Sequence, residues 1–273
     1  MERFSSSSDA SRGSFDGNLQ HFQKLYSEGK YFRSSFMNEE TFKMHGASNR
    51  FLLHFGDGNP ETLLHEIGDL DGLLIVQESK KANARMRVFN ADGKEAEQCG
   101  NGLRCVALHL VRSRYVESAQ LTIETRAGLN QCVVHESRNE VSVTMQKPKV
   151  QSLHIEGLPA CTYVNLGNPN IVVWSEADPL VQRDQFGKEY ASHPYFKYGV
   201  NVHFAREEGK ETATCASWER GVGATHASGT GGASVFASFK GKTSLFVLSV
   251  GGTLSYQYDS SGAIVMSGPA SYL

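Results

Sequence analysis

From Phe42 onward the chain alternates short apolar runs with clusters of Gly, Asn and Asp. The runs at 51–55, 72–76, 86–89, 120–125 and 140–145 have strand length. Turn signals at Asp57-Gly58-Asn59-Pro60 and Asp92-Gly93 punctuate them. Leu103, Val106, Ala107, Leu110 and Val111 instead recur at helical spacing, which predicts a helix after Cys99 with one buried stripe. The second half repeats the theme, with strands at 162–166, 171–174, 200–204 and 212–218 and a helix from about Gly229 that turns Val235, Phe236 and Phe239 inward. Strands return at 244–250, 253–258 and 263–266.

This order predicts an α+β fold of two lobes, each an antiparallel-rich sheet wrapped around a central helix. Gln146-Lys147-Pro148-Lys149 marks the boundary between lobes, because a proline would break a central strand. The first lobe is expected over 42–150 plus 263–273 and the second over 151–262. Residues 1–41 read as an extension outside the catalytic fold, Ser-rich at Ser5 to Ser8, with an amphipathic helix at 18–26 that puts Leu19, Phe22 and Tyr26 on one side. The start has no apolar core of the kind a secretory signal carries.

Charge narrows the partner. In 273 residues, 27 Lys and Arg stand against 29 Asp and Glu, so no long-range field points to nucleic acid or an anionic membrane. A small molecule is the expected ligand. Five cysteines, at 99, 105, 132, 161 and 215, show neither metal-ligand spacing nor a dense disulfide framework, which points to a reducing cytoplasm. The ten histidines are scattered, so no metal site is expected; His45 and His226 read as turn residues and His109 as part of an exposed helix face.

The chemistry lies in a duplicated motif. Cys99-Gly100-Asn101-Gly102-x-x-Cys105 and Ser228-Gly229-Thr230-Gly231-x-x-Ser234 each place a small nucleophile before a Gly-polar-Gly turn and an apolar helix. A helix start offers unpaired N–H groups and a positive dipole end, and glycine lets an anion approach closely. A substrate carboxylate therefore fits between Gly100-Asn101-Gly102 and Gly229-Thr230-Gly231. The same field is expected to lower the pKa of Cys99 and make it a base near neutrality. Two such groups facing one carbon suit inversion of a stereocentre. No dinucleotide fingerprint or P-loop competes with this reading.

These residues resemble the cofactor-independent diaminopimelate epimerases. Phe42-Lys43-Met44-His45-Gly46-Ala47-Ser48-Asn49 is similar to that family's N-terminal motif, and the stretch from Phe89-Asn90-Ala91-Asp92-Gly93 to Glu97-Gln98-Cys99-Gly100-Asn101-Gly102-Leu103-Arg104-Cys105 is similar nearly letter for letter. Gly167-Asn168-Pro169, Gly199-Val200-Asn201-Val202, Glu219-Arg220-Gly221-Val222-Gly223 and Ser267-Gly268-Pro269-Ala270 follow in order. The resemblance implies two pseudo-symmetric lobes, a homodimer, no cofactor, and interconversion of LL- and meso-diaminopimelate on the route to lysine and peptidoglycan. It implies Cys99 as one base. Asn49, Asn90, Asn168, Asn201, Glu219 and Arg220 would bind the distal amino acid end or its neighbourhood, and Gly100, Asn101, Gly229 and Thr230 the reacting carboxylate.

Four positions depart from the family. Ser228 stands where the second cysteine is usual, Ala224 and Arg50 where acidic residues are usual, and Asn170 where a histidine is usual. An unactivated hydroxyl is a far weaker acid than a thiol. Ser228 therefore admits three readings: a change introduced to trap substrate, natural divergence, or support for a different outcome. The functions that follow are an epimerase impaired at its second base, a cofactorless racemase or dehydratase of another amino acid, or a silent amino acid binding protein.

Overall fold

The computed structural model describes residues 40–239 and 241–273; of the extension expected over 1–41 only Glu40 and Thr41 are among them, and its helix at 18–26 lies outside the described residues. Eight strands come first: β1 (Glu40–Gly46), β2 (Asn49–Phe55), β3 (Gly72–Gln77), β4 (Ala84–Asn90), β5 (Glu95–Ala96), β6 (Gln120–Thr125), β7 (Gly128–His135) and β8 (Glu140–Thr144). They surround α2 (Gly100–Arg112), and a short helix, α1 (Pro60–Leu64), packs on β3. The α2 stripe predicted from the sequence is buried throughout, from Leu103 to Val111. Burial on every side gives this helix its stability, since most helical stability in proteins comes from packing.

A second set repeats the plan: β9 (Lys149–Leu153), β10 (Cys161–Asn165), β11 (Pro169–Trp174), β12 (Asn201–Gly209), β13 (Thr212–Glu219), β14 (Gly223–Thr225), β15 (Ser244–Ser249) and β16 (Gly252–Tyr258). These pack around α4 (Gly229–Ser238), with α3 (Pro179–Ala191) outside on β12 and β13. The strand β17 (Ile264–Pro269) pairs with both β16 and β8, and β18 (Ser271–Tyr272) pairs with β1. Strand β17 thus ties the two helix-centred sets into one hydrogen-bonded sheet. Each set also contains parallel pairs, β2–β3 and β4–β6 in the first and β11–β12 and β13–β15 in the second.

Three local expectations are corrected. His109 is buried rather than on an exposed face, because Phe42, Phe55, Tyr115 and Tyr272 close around its ring and Tyr272 Oη lies 2.9 Å from Nδ1. His45 lies within β1, paired with Arg50, rather than in a turn. Phe239 ends α4 as its C-cap and packs edge-on against Trp174, with ring centres 5.0 Å apart. Among the described residues no helix is long and apolar enough to cross a membrane.

Candidate active site

The duplicated motif folds into two matching helix caps. Cys99 caps α2 in extended conformation (φ −142°, ψ 112°), and its Sγ accepts the Gly102 N–H at 3.4 Å. Ser228 caps α4 in the same way (φ −125°, ψ 115°), its Oγ accepting the Gly231 N–H at 3.1 Å. Each cap satisfies its N3 donor. The N–H groups of Gly100, Asn101, Gly229 and Thr230 have no acceptor within their helices.

Met266 on β17 brings the two starts together. A Cβ on Gly100 would fall 2.9 Å from its Cε, and one on Gly229 would fall 2.9 Å from its Sδ. One fully buried thioether therefore touches the first residue of both helices, which is why both positions are glycine. The third position is equally tight: a Cβ on Gly102 would meet Leu74 at 2.9 Å, and one on Gly231 would meet the His203 ring at 2.6 Å.

The predicted polar residues fall into two networks. In the first, Asn101 Nδ2 donates to Asn49 Oδ1 at 3.2 Å, and Asn49 Nδ2 donates to Asp71 at 3.2 Å. Asn101 Oδ1 accepts from Arg104 Nη2 at 2.9 Å. Arg104 is fully buried, yet its remaining partners are the Pro269 carbonyl at 3.3 Å and Met266 Sδ at 3.7 Å, with no carboxylate among the described residues. Arg50 takes its own carboxylates, bonding Asp69 through its side chain and Asp71 through its backbone N–H.

In the second network Asn168, Asn201 and Arg220 meet through Asn170. Asn170 Nδ2 donates to Asn168 Oδ1 at 2.9 Å, Asn201 Nδ2 donates to Asn170 Oδ1 at 3.1 Å, and Asn201 Oδ1 accepts the Arg220 N–H at 2.9 Å. His203 lies 3.1 Å from the same Asn170 oxygen through Nε2 and 2.9 Å from Ser217 Oγ through Nδ1. With the Asn170 amide assigned in this orientation, Nε2 carries the proton and Nδ1 accepts from Ser217. The Arg220 guanidinium is exposed and reaches the Tyr198 carbonyl at 3.1 Å. Asn90 stands apart: its backbone closes the turn to Lys94, and no side-chain bond among the described residues joins it to either start.

Glu219 ends β13, paired with Gly223 of β14. Its Oε1 accepts from Thr225 Oγ1 at 2.9 Å, and its charge is felt at Cys99. Burial pushes the Glu219 carboxyl above its ordinary value, against the pull of Thr225 and Ser228.

The expectation that the helix start lowers the Cys99 thiol is corrected. Burial pushes it up, and the Gly102 N–H, Arg104 and the Asn101 N–H only partly offset this, while Glu219 raises it further. Cys99 is half-buried by surface exposure, but protein surrounds its sulfur closely enough for desolvation to outweigh the dipole. The other thiol of the motif, Cys105, is fully buried and pushed up to about 12 by burial. His203, also buried, is pushed down to about 3 and is neutral at pH 7.

Sequence reasoning passed over Met266, Arg104 and His203. The signal for His203 was its place two residues after Asn201 on β12, which sets both on one face of the strand. A surface cavity of about 390 Å³ lined by Trp174, Ser175, Glu176, Glu207, Ser238 and Phe239 sits at the far end of α4 from Ser228, so it is separate from this site. Among the described residues, no group of three or more His, Cys, Asp or Glu is placed to hold a metal ion.

The chain is similar to known proteins. The chain is 35% identical over 267 residues to a diaminopimelate epimerase of Desulforudis audaxviator, covering 85% of this chain and 96% of that one. It is 34% identical over 272 residues to the diaminopimelate epimerase of Desulfitobacterium hafniense, covering 86% and 96%. Among solved structures, a Bacillus anthracis phenazine biosynthesis protein of the PhzF family superposes with a TM-score of 0.64 at 19% identity, covering 85% and 96%. A probable proline racemase from Agrobacterium radiobacter superposes with a TM-score of 0.59 at 13% identity, covering 86% and 91%; both structures share the fold. The family model described as diaminopimelate epimerase matches residues 62–151 and 162–273, and the chain belongs to that family of isomerases.

Proposed function

We propose that this chain interconverts LL- and meso-diaminopimelate without a cofactor, with Cys99 acting on one face of the reacting α-carbon and the Ser228 position on the other. The observation that carries this reading is the pair of matching caps that meet on Met266. A carboxylate between the caps would accept from the N–H groups of Gly100, Asn101, Gly229 and Thr230, and both dipoles would favour its charge. As the α-proton leaves, negative charge builds on that carboxylate, where fixed donors stabilise it most. The Cys99 thiolate takes the proton; Arg104 below it favours the anion.

The distal ammonium and carboxylate need acceptors and a guanidinium fork, which Asn49, Asn168, Asn201, Glu219 and Arg220 supply, with Asn90 at the margin. Removing and returning one proton leaves oxidation state unchanged, so the reaction requires no electron carrier. Five unpaired thiols suit a reducing compartment, and the family likeness supports a homodimer in the cytoplasm.

The test is conversion of purified LL-diaminopimelate to the meso isomer, with no added cofactor, followed by chiral chromatography. Conversion that disappears in Cys99→Ala is the expected result. Loss of water or ammonia from another amino acid would make the chain a dehydratase or lyase. Tight binding without turnover would make it a binding protein.

A further inference from the structure

Three neighbouring strands set a row of polar side chains under the start of α4. Asn170 on β11 pairs with Asn201 on β12, and His203, two residues further and so on the same face, pairs with Ser217 on β13. Asn170, His203 and Ser217 are all buried, and a Cβ on Gly231 would fall 2.6 Å from the His203 ring and 2.9 Å from Ser217 Oγ. Backbone groups fix the sense of every bond in the row. One end of the Asn170 amide has the Val164 carbonyl at 3.2 Å and the Asn168 carbonyl at 2.9 Å; carbonyls only accept, so that end is Nδ2. Oδ1 therefore faces Asn201 Nδ2 and His203 Nε2, each at 3.1 Å, and both must donate to it. At the other side of Asn201 the Arg220 backbone N–H only donates, which makes its partner there Oδ1. Ser217 then gives its hydroxyl proton to His203 Nδ1 at 2.9 Å. One amide end is left over. Asn168 Oδ1 accepts from Asn170 Nδ2 at 2.9 Å, so the half-buried Asn168 keeps both Nδ2 protons, with no acceptor for them among the described residues.

We propose that His203 is a positioning residue for the far end of the substrate: its Nε2 proton holds the Asn170 amide in this sense, so that Asn168 and Asn201 offer N–H donors alone and form a carboxylate subsite. The inference rests on the epimerase reading, which brings the far end of the substrate to these residues. Asn201 keeps the second proton of its Nδ2, and the exposed Arg220 guanidinium adds donors beside it. A carboxylate accepts at both oxygens, whereas an ammonium group would meet only protons here. Without the Nε2 proton, the buried Asn170 oxygen would lose a donor and the amide its lock. Asn168 would then lose the bond that sets its own amide. By bonding Nδ1, the Ser217 hydroxyl keeps the imidazole proton on Nε2. His203 itself never touches the ligand; it acts through Asn170 and Asn168.

The test is steady-state epimerisation of LL-diaminopimelate by wild type, H203L, H203Q, N168A, H203L/N168A and N168D, with nitrogen-15 NMR of the His203 ring. H203L removes the donor at similar volume and is expected to raise KM about 30-fold while kcat changes less than about threefold. H203Q, whose amide places an N–H near the Nε2 position, should bring KM back to within about threefold of wild type. In the N168A background H203L should add less than about threefold, because the histidine acts through that amide. N168D still accepts from Asn170 but presents an oxygen to the ligand, and should raise KM about 100-fold or more. The ring should carry its proton on Nε2 at pH 7. A fall in kcat with KM unchanged, as a smaller folded fraction would give, or an equal rise in KM in both backgrounds, would leave His203 a packing role and overturn the proposal while the epimerase reading stands. Should the histidine variants fail to fold, a rise under about threefold in N168D, or a wild-type ring protonated on Nδ1, overturns it on its own. No turnover by wild type overturns the epimerase reading and the subsite with it.

Discussion

The starts of α2 and α4 share a backbone and differ in what stands behind them. Each has an extended cap, a bonded third N–H and a glycine against Met266. Behind Cys99 lies a buried guanidinium with only neutral partners; behind Ser228 lies a neutral histidine network. A thiol is thus backed by a cation at one start, and a hydroxyl by neutral amides and an imidazole at the other. The contrast teaches that the scaffold's symmetry lies in the backbone of the two caps, while the side chains behind each cap differ.

The largest expected break is Cys99→Ala. Loss of the only half-buried thiol should lower epimerisation by about 1,000-fold or more, measured by chiral chromatography, and a residual rate near wild type would remove Cys99 from the chemistry. Next is Met266→Ala, which empties the wedge shared by both starts. It should cost about 2–4 kcal/mol in denaturant unfolding, and a loss under about 1 kcal/mol would show that the helices meet without it.

Arg104→Met should act on one face alone. Burial holds the Cys99 thiol above its ordinary 9.0, so alkylation by iodoacetamide should keep rising beyond pH 9, and removing the guanidinium should slow it about tenfold at pH 8. A plateau near neutral pH in both proteins would contradict the upward displacement.

The smallest effect concerns acid stability. Burial depresses His203 to about 3 and His109 to about 4 from 6.5, so the unfolded chain takes up protons first as pH falls. Stability is therefore full above pH 6.5 and is lost progressively toward pH 4 and below. Melting temperature should drop over that window, and His109→Gln should flatten the drop.

Much of this was legible in the sequence. The α2 stripe, the strands around each helix and both cap residues follow from periodicity and from the Gly-polar-Gly turns, because local spacing fixes them. Helix α3 was not legible: it buries only Pro179, Gly187 and Ala191 and leaves Val181 exposed, so it lacks an apolar stripe. Its Asp178 cap before Pro179 was the available signal. The Cys99 displacement could not be read either. It depends on how much protein surrounds the sulfur, and on Glu219, 120 positions along the chain, lying close enough to oppose the thiolate.

The most direct measurement of the inequality between the two faces is the initial rate of α-hydrogen wash-out from LL- and from meso-diaminopimelate, each alone in deuterium oxide. A thiolate and a hydroxyl differ in basicity, so one isomer should exchange about tenfold or more faster than the other, and Cys99→Ala should abolish the faster exchange. Equal rates from both isomers, each lost to the same extent in Cys99→Ala and Ser228→Ala, would contradict the account.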